Sequence, residues 1–186
     1  MAILFADPGS GRIEKISRGS KSEGLMRRIL SIVGGVLLLL GGMLILSPSA
    51  SAATTGAYGC SGTQIDTYAV KTSGGSVWGT IHLYYDSSTG YNCAVNVATA
   101  AGYYGTPSFK AINMTRCVAG TVAGQKCVSD GTYRQDPAGS TLYSEYAGPV
   151  SFSAAGRCIN VYGAIVSPDG NTDAYFDNGQ KAMHCG

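Results

Sequence analysis

Apolar and polar side chains alternate along residues 77–99, on both sides of a turn-forming segment at residues 86–90. An alternation with period two predicts a β-hairpin with one buried and one wetter face. With residues 86–90 as a five-residue loop, the buried face pairs Tyr85 with Tyr91, Leu83 with Cys93, Ile81 with Val95 and Gly79 with Val97. The wetter face pairs Tyr84 with Asn92, His82 with Ala94, Thr80 with Asn96 and Trp78 with Ala98. We expect this register because a shift of one residue would turn half of the apolar side chains away from the core.

The rest of residues 54–186 repeats this kind of pattern. Short runs rich in Val, Ile, Thr and Tyr are separated by clusters of Gly, Asn, Asp and Pro, a spacing typical of β-sandwiches and barrels. Ten strands are predicted, at residues 63–71, 77–85, 91–99, 108–116, 128–135, 141–146, 150–154, 158–166, 172–176 and 180–185. No segment shows helical periodicity. We therefore expect one all-β domain over residues 54–186, an antiparallel β-sandwich or open barrel.

The core of this domain is predicted from the apolar positions of these strands. It should contain Ile65, Val77, Ile81, Leu83, Val95, Val97, Val150, Phe152, Val161 and Ile165.

The first 53 residues are expected to lie outside this domain. The basic pair Arg27 and Arg28 precedes an apolar run at residues 29–46, and residues 47–53 supply the small side chains that signal peptidases accept. We expect residues 26–53 to be a secretory signal peptide, cleaved after Ala52 or Ala53. Residues 1–25 are interpreted as an N-terminal extension that is disordered or not translated. An uncleaved anchor is the alternative, because a run of this length can just span a bilayer.

All six cysteines lie in the predicted exported domain. An even number of cysteines in a small exported domain predicts disulfides, and the closely spaced Cys pairs of metal sites do not occur. Cys117 and Cys127 flank a nine-residue loop and are expected to pair. The predicted strands place Cys158 and Cys185 at opposite ends of a three-stranded meander, too far apart to pair. We expect Cys60 to pair with Cys185 and Cys93 with Cys158; the pairing of Cys60 with Cys158 and Cys93 with Cys185 stays open.

Charge argues against two classes of function. Residues 54–186 hold seven Lys and Arg against eight Asp and Glu, so their net charge is −1. The basic excess of the whole chain therefore belongs to the first 53 residues, which carry +3. A nucleic-acid-binding protein or a polybasic membrane-surface protein would need a basic patch. We therefore expect no nucleic-acid partner, and a membrane contact only through the signal segment if it stays uncleaved.

The residues that could carry chemistry are few. Neither His82 nor His184 lies in a recognisable catalytic motif, so we predict no catalytic residue, no cofactor and no enzymatic activity. A histidine beside a carboxylate in a deep pocket would favour an enzyme instead. Residues 169–177 match the oxygen-ligand spacing of an EF-hand loop, but Ala174 and Gln180 replace its Gly and Glu. Two ordinary β-turns explain the same residues, and we predict no metal site.

Two features of the sequence are candidates for a binding surface. Either Trp78 and Tyr84, or Tyr103 and Tyr104 in the loop at residues 102–105, could form an exposed platform for sugar rings or for a partner protein, although Tyr is also an ordinary constituent of small β surfaces. A disulfide-closed loop at residues 117–127 would be preorganised and would lose less entropy on docking. We expect removal of this bridge to affect binding more than folding, whereas loss of a bridge between distant strands should cost several kcal/mol.

Four segments carry a resemblance to a known family: residues 88–93 (STGYNC), 146–150 (YAGPV), 156–158 (GRC) and 184–186 (HCG). Through them the chain resembles, over nearly all of residues 60–186, the small exported spore-associated proteins of actinobacteria. The resemblance implies a secreted protein of the spore or cell surface without an established catalytic site. It also implies a four-cysteine frame of Cys60, Cys93, Cys158 and Cys185, to which Cys117 and Cys127 are added.

We therefore expect a secreted, non-catalytic structural protein that associates with the spore or cell surface, with spore or cell-wall components as its partners. The alternative is a secreted binding or inhibitory module for a protein or a carbohydrate, which would use the 117–127 loop or the exposed aromatic residues.

Overall fold

The computed structural model describes residues 56–186, so the predicted extension at residues 1–25 and the predicted signal peptide at residues 26–53 lie outside the described residues. The strands are β1 (Thr63–Thr72), β2 (Val77–Asp86), β3 (Tyr91–Ala98), β4 (Lys110–Cys117), β5 (Ser129–Asp136), β6 (Tyr146–Ser153), β7 (Ile159–Val166) and β8 (Asp173–Phe176). Two single 3₁₀ turns, Ala57–Gly59 and Ala100–Gly102, are the only helical segments in this range. Accordingly, no helix of the described range has the length and apolar character that a membrane span needs.

The eight strands form one antiparallel sheet in the order β5-β4-β7-β8-β1-β2-β3-β6. The sheet curls into a nearly closed barrel, with β5 and β6 as its two edges. Side chains cross the gap between the edges: Asp136 Oδ2 accepts a hydrogen bond from the Gly148 amide at 2.6 Å, and Arg116 Nη1 donates to the Ser153 carbonyl at 2.7 Å. The predicted all-β antiparallel fold is confirmed. The predicted strands at residues 141–146 and 180–185 do not form, except that Tyr146 begins β6.

The register of the β2–β3 hairpin differs from the prediction by one residue. Tyr84 pairs with Cys93 and Ile81 with Asn96, because the loop has four residues instead of five. Asp86 belongs to the strand and closes the turn: its carbonyl accepts from the Gly90 amide at 2.8 Å and its carboxylate from the Ser88 amide at 2.9 Å. Gly90 has φ +71°, a conformation that favours glycine.

Both faces of this hairpin are buried. Ile81 and Leu83 point into the barrel and belong to the main core, whereas Tyr84, Cys93 and Val95 form a second apolar cluster with Cys60 on the outer face. The prediction of a single buried face is wrong, because the N-terminal segment covers the outer face of the hairpin as well. Among the predicted core residues, Ile65 and Val77 are exposed and Val97 is half-buried, and the other seven are buried.

Asn96 is a polar side chain in the barrel interior, where it is fully buried. Its Nδ2 group donates to the carbonyl of Ala111 at 3.0 Å and to that of Ala164 at 3.1 Å. The side chain therefore joins β3 to β4 and β7 across the barrel. Gly79 and Gly163 leave room for it, since a Cβ on Gly79 would lie 2.9 Å from Asn96 Oδ1.

Lys110 is also fully buried. Its Nζ donates to Ser108 Oγ and to the Tyr143 carbonyl at 2.7 Å each, and to the Thr106 carbonyl at 3.1 Å. Burial lowers the pKa of the Lys110 ammonium group. Neutral oxygens satisfy all three of its protons, and no carboxylate of the described chain forms a salt bridge with it.

The disulfide pairing corrects two of the three predicted bridges. Cys117 pairs with Cys127, as predicted. The predicted bridges from Cys60 to Cys185 and from Cys93 to Cys158 are wrong, because Cys60 pairs with Cys93 and Cys158 pairs with Cys185. Cys60 reaches Cys93 because the segment before β1 packs on the outer face of β2 and β3.

The path of the chain after β8 explains the bridge from Cys158 to Cys185. Phe176 pairs with Gly163, and further along the same direction Met183 pairs with Ile159. Residues 173–183 thus run antiparallel along the whole of β7, interrupted by a turn, and do not reverse into a third strand. The chain therefore returns Cys185 to the start of β7, where Cys158 lies.

We expect Asn96→Ala to lower the free energy of unfolding by about 2–4 kcal/mol, because it removes two buried hydrogen bonds and leaves a cavity. Asn113→Ala is the matched control, since Asn113 lies on the outward side of β4 and its side chain has no hydrogen-bond partner among residues 56–186; it should change stability by less than about 0.5 kcal/mol. Urea unfolding of the two variants measures both values. Equal losses of unfolding free energy in the two variants would show that the Asn96 hydrogen bonds do not stabilise the barrel.

Candidate functional site

Of the two aromatic platforms considered in the sequence, the pair Trp78 and Tyr84 is buried and the loop at residues 102–105 is partly exposed. Trp78 and Tyr84 are only 8% and 5% exposed, and Tyr103 is half-buried with its ring edge-on to Trp78 at 5.2 Å. Only Tyr104 is well exposed. The 3₁₀ turn at Ala100–Gly102 covers Trp78 so closely that a Cβ on Gly102 would lie 1.7 Å from the Trp78 carbonyl oxygen. The platform prediction is therefore wrong for Trp78 and Tyr84.

The disulfide-closed loop at residues 117–127 lies against the C-terminal segment and does not project freely. The Gly124 amide donates to the Ala182 carbonyl at 2.9 Å, and the Ala182 amide donates to the Gln125 carbonyl at 2.7 Å. The Cys127 amide adds a hydrogen bond of 2.8 Å to the Gln180 carbonyl. These three bonds give the loop a structural role that the sequence analysis did not assign to it.

Two of the three disulfides pack against each other at this corner. Cys117, Cys127 and Cys158 form one buried cluster with Ala182. Cys158 Sγ also lies 2.9 Å from the Thr121 carbonyl oxygen in the loop, a close contact and not a hydrogen bond, because a disulfide sulfur carries no hydrogen. This disulfide corner thus combines the confirmed bridge from Cys117 to Cys127 with the bridge from Cys158 to Cys185, which the sequence-based prediction had excluded.

An ion cluster borders the disulfide corner. Asp130 Oδ2 accepts from Arg116 Nε at 2.8 Å and from Arg157 Nη2 at 2.9 Å. Arg157 Nη2 also donates to the Cys117 carbonyl. A hydrogen bond from the Thr132 amide is the main cause that lowers the pKa of Asp130 to about 2; burial opposes this shift and Arg116 adds to it.

The second histidine of the chain lies beside a carboxylate. Tyr68 donates its hydroxyl proton to Asp66 Oδ2 at 2.7 Å, and His184 Nε2 lies 2.6 Å from the Tyr68 oxygen and 3.2 Å from Asp66 Oδ2. Since the only proton of the Tyr68 hydroxyl is used, His184 Nε2 must carry a hydrogen and donate it. Burial opposes ionisation of Asp66, but the hydrogen bonds from Tyr68 and the Thr67 amide and the His184 charge outweigh it and lower its pKa.

This cluster can orient a histidine, but it offers little else for catalysis. Burial and the neighbouring Asp66 raise the pKa of Tyr68, so its phenol stays protonated at neutral pH. No serine hydroxyl of the described chain bonds to His184, and all six cysteines form disulfides. The adjoining depression has a volume of about 190 Å³, which is small for a substrate site. The contacts join the C-terminal segment to β1.

The other candidate residues lie apart from this cluster. His82 Nδ1 lies 2.8 Å from Gln64 Oε1, and burial lowers the pKa of its ring. Asp169 accepts hydrogen bonds from Ser167 Oγ and from the amide and side chain of Asn171, which lower its pKa to about 2. The carboxylate oxygens of Asp169 therefore stabilise a turn. Within residues 56–186, no group of three or more His, Cys, Asp or Glu residues is arranged to hold a metal ion.

The ion cluster generates a prediction for pH dependence. The folded-state pKa of Asp130, about 2, lies below the unfolded value of about 4. Its stabilising contribution is therefore complete above pH 4 and is lost as the pH falls from about 4 to about 2. Asp130→Asn should be less stable than the wild type at pH 7 and should lose less stability over this range.

Thermal melts between pH 7 and pH 2 measure this difference. Asp173→Asn is the control, because Asp173 is exposed and makes no side-chain hydrogen bond with the described residues. An Asp130→Asn variant with the acid sensitivity of the wild type would contradict the prediction.

The disulfide corner generates a second prediction. The bridges from Cys117 to Cys127 and from Cys158 to Cys185 span 10 and 27 residues, so the chain-entropy model assigns losses of about 3 and about 3.5 kcal/mol to their replacement by serine. Because the bridges touch, replacing both should deviate from the sum by more than about 0.5 kcal/mol.

The bridge from Cys60 to Cys93 is the matched control, since it lies in a different cluster. Its removal should add to the removal of the loop bridge. Urea unfolding of the two double-mutant cycles tests both expectations, and additivity within the corner would show that its two bridges act independently.

Comparison with known proteins finds a relative in Streptomyces coelicolor. The chain is 34% identical to spore-associated protein A of that organism over 153 residues, which cover 78% of this chain and 85% of that protein. No family model and no solved structure matches the chain. An identity of this level over most of both sequences shows that the chain belongs to the spore-associated protein A family.

Proposed function

We propose that the protein is exported and acts at the spore or cell surface as a non-catalytic structural protein. The observation that carries this proposal is the 34% identity to a protein named spore-associated protein A, over 85% of its length. Spore or cell-wall components are the partners that this role requires.

The disulfides support export. The three bridges use every cysteine of the chain, and disulfides persist in oxidising surroundings outside the cytosol. The bridges join the N-terminal segment to β3 and the C-terminal segment to β7, so both ends of the described domain are covalently fixed. Such a domain suits a protein that must last outside the cell.

The geometry around the histidines supports a structural role over a catalytic one. His184 is committed to Tyr68 and Asp66, and its contacts fasten the C-terminus to β1. His82 faces Gln64 and Tyr58. An acid–base mechanism needs a second reactive group within hydrogen-bond reach of the histidine, at the surface of a pocket.

Export predicts a defined mature form. In the producing organism, intact-mass and N-terminal analysis should find a chain that begins near Ala53 or Thr54, with a mass six hydrogens below that of the reduced form, in the wall, spore or medium fraction. Leu38→Arg, within the apolar run, should hold the protein in the cell at full length, because a charge in this run opposes insertion.

Leu4→Arg is the matched control and should leave export unchanged, because it lies in the segment before the signal. Retention of the wild-type protein in the cytosol with free thiols would contradict export. A full-length protein in the membrane fraction would favour the uncleaved anchor instead.

A further inference from the structure

A concave groove of about 510 Å³ lies on the outer face of β4, β5 and β7. The register brings two rows of outward side chains together across these strands. Tyr133, Thr115 and Asn160 form one row, and Gln135, Asn113 and Tyr162 form the next. None of the four aromatic residues considered for a binding surface lines the groove, whereas Cys127, at the end of the 117–127 loop, does.

The floor of the groove carries polar groups without partners. The side chains of Asn113, Thr115 and Tyr162 are half-buried, and none of them forms a hydrogen bond with another residue of the described range. Together they present an amide and two hydroxyl groups, which can both donate and accept. Because these groups have no partner among residues 56–186, they are free to bond to water or to a hydroxyl-rich ligand in the groove.

The sides of the groove are held in place. Asn160 Nδ2 donates to Asn178 Oδ1 at 2.7 Å and to the Lys181 carbonyl at 3.0 Å, which leaves Asn160 Oδ1 as a fixed acceptor. The Tyr133 hydroxyl donates to Gln135 Oε1 at 2.5 Å. Asn160 would therefore lose little conformational freedom on binding a ligand.

The two tyrosines indicate an extended ligand. Tyr133 and Tyr162 lie two strands apart and in adjacent rows, a separation of roughly 10 Å across the sheet and about 7 Å along it. They can contact two different rings of one chain but not the same ring. A second depression of about 240 Å³ shares Asn113 and Tyr162 with the groove and continues it along the sheet past Gln135 and Pro137.

The charge of the groove argues against an anionic ligand. Asp177 is the only charged residue that lines the groove, and no Lys or Arg does. Nucleic acids and anionic polysaccharides would need cations at this face. An extended peptide that adds to a sheet pairs with a free strand edge. The groove lies on the face of the sheet: β4 and β7 have neighbours on both sides, and the edge of β5 faces β6 across the gap of the barrel.

We infer that this groove binds a neutral polysaccharide, with sugar rings against Tyr133 and Tyr162 and hydroxyl or N-acetyl groups on Asn113, Thr115 and Asn160. Aromatic rings accept the C–H faces of sugars, and amide and hydroxyl side chains match their polar edges. This inference deepens the proposed function and rests on it, because only a protein at the spore or cell surface would meet such a polysaccharide.

Titration of the purified protein, labelled with ¹⁵N, tests the groove directly. The probes are the hexasaccharides of N-acetylglucosamine and of glucose, with hexagalacturonate as the anionic comparator. A neutral hexasaccharide should bind with a Kd of about 1 mM or tighter and shift the amide signals of residues 113–115, 133 and 160–162. Because the contact is uncharged, added salt should leave the Kd unchanged.

Variants separate the groove from the rest of the surface. Asn113→Ala and Tyr133→Ala should each weaken binding about tenfold, and Tyr104→Ala, which removes an exposed tyrosine outside the groove, should leave the Kd unchanged. Tyr133 is 42% exposed, so Tyr133→Ala should fold and tests the groove independently of the half-buried Asn113. The amide spectrum of each free variant verifies its fold.

Three results would overturn the inference: no shifts with either neutral probe at about 10 mM, tighter binding of the anionic probe, or binding that Tyr104→Ala weakens as much as the groove variants do. Cell fractionation tests the surface location independently. A protein that binds sugars but stays in the cytosol would refute the proposed function alone, and an exported protein that binds no sugar would refute the groove alone.

Discussion

Asp86 closes the turn between β2 and β3 with both its carbonyl and its carboxylate, and the register of that hairpin determines how the rest of the barrel is assembled. In this register Asn96 points inward, where it joins β4 and β7, and Cys93 points outward, where it meets Cys60. A shift of one residue would exchange these two faces. Both the hydrogen bonds of Asn96 inside the barrel and the disulfide that attaches the N-terminal segment therefore depend on the four-residue loop between β2 and β3.

On the opposite side of the barrel, covalent and ionic contacts fasten the edge strand β5 and the segments next to it. The edge strand β5 carries Asp130, which holds Arg116 of β4 and Arg157 of the segment before β7. The two touching disulfides fix the loop after β4 and the chain after β8 next to this cluster. Because disulfide and ion-pair contacts are directional, they can fasten an edge whose strand buries little apolar surface; β5 has no buried residue.

Two places on the surface collect polar side chains, and they differ in whether those side chains are already bonded. At Asp66, Tyr68 and His184 each group bonds to the others, so the cluster is satisfied without a ligand. In the groove on β4, β5 and β7, the amide of Asn113 and the hydroxyls of Thr115 and Tyr162 are left for solvent or a ligand. The groove is therefore the better candidate for recognition, although the binding surfaces predicted from the sequence include only one residue that lines it, Cys127.

The amino-acid sequence by itself determined the features that depend on neighbouring residues: the all-β class, most strand positions and the bridge across the short loop from Cys117 to Cys127. Period-two alternation and turn-forming residues act locally, so they can be recognised along the chain. The polar and aromatic pairs at 113 and 115, at 133 and 135 and at 160 and 162 were a visible signal of outward strand faces. Only the tertiary structure decided that these three faces adjoin, that Cys185 returns to Cys158, and that Trp78 and Tyr84 are covered. Each of these results depends on how distant segments pair, and pairing between distant segments is set by the turn lengths and chain path of the whole barrel, which no local pattern encodes.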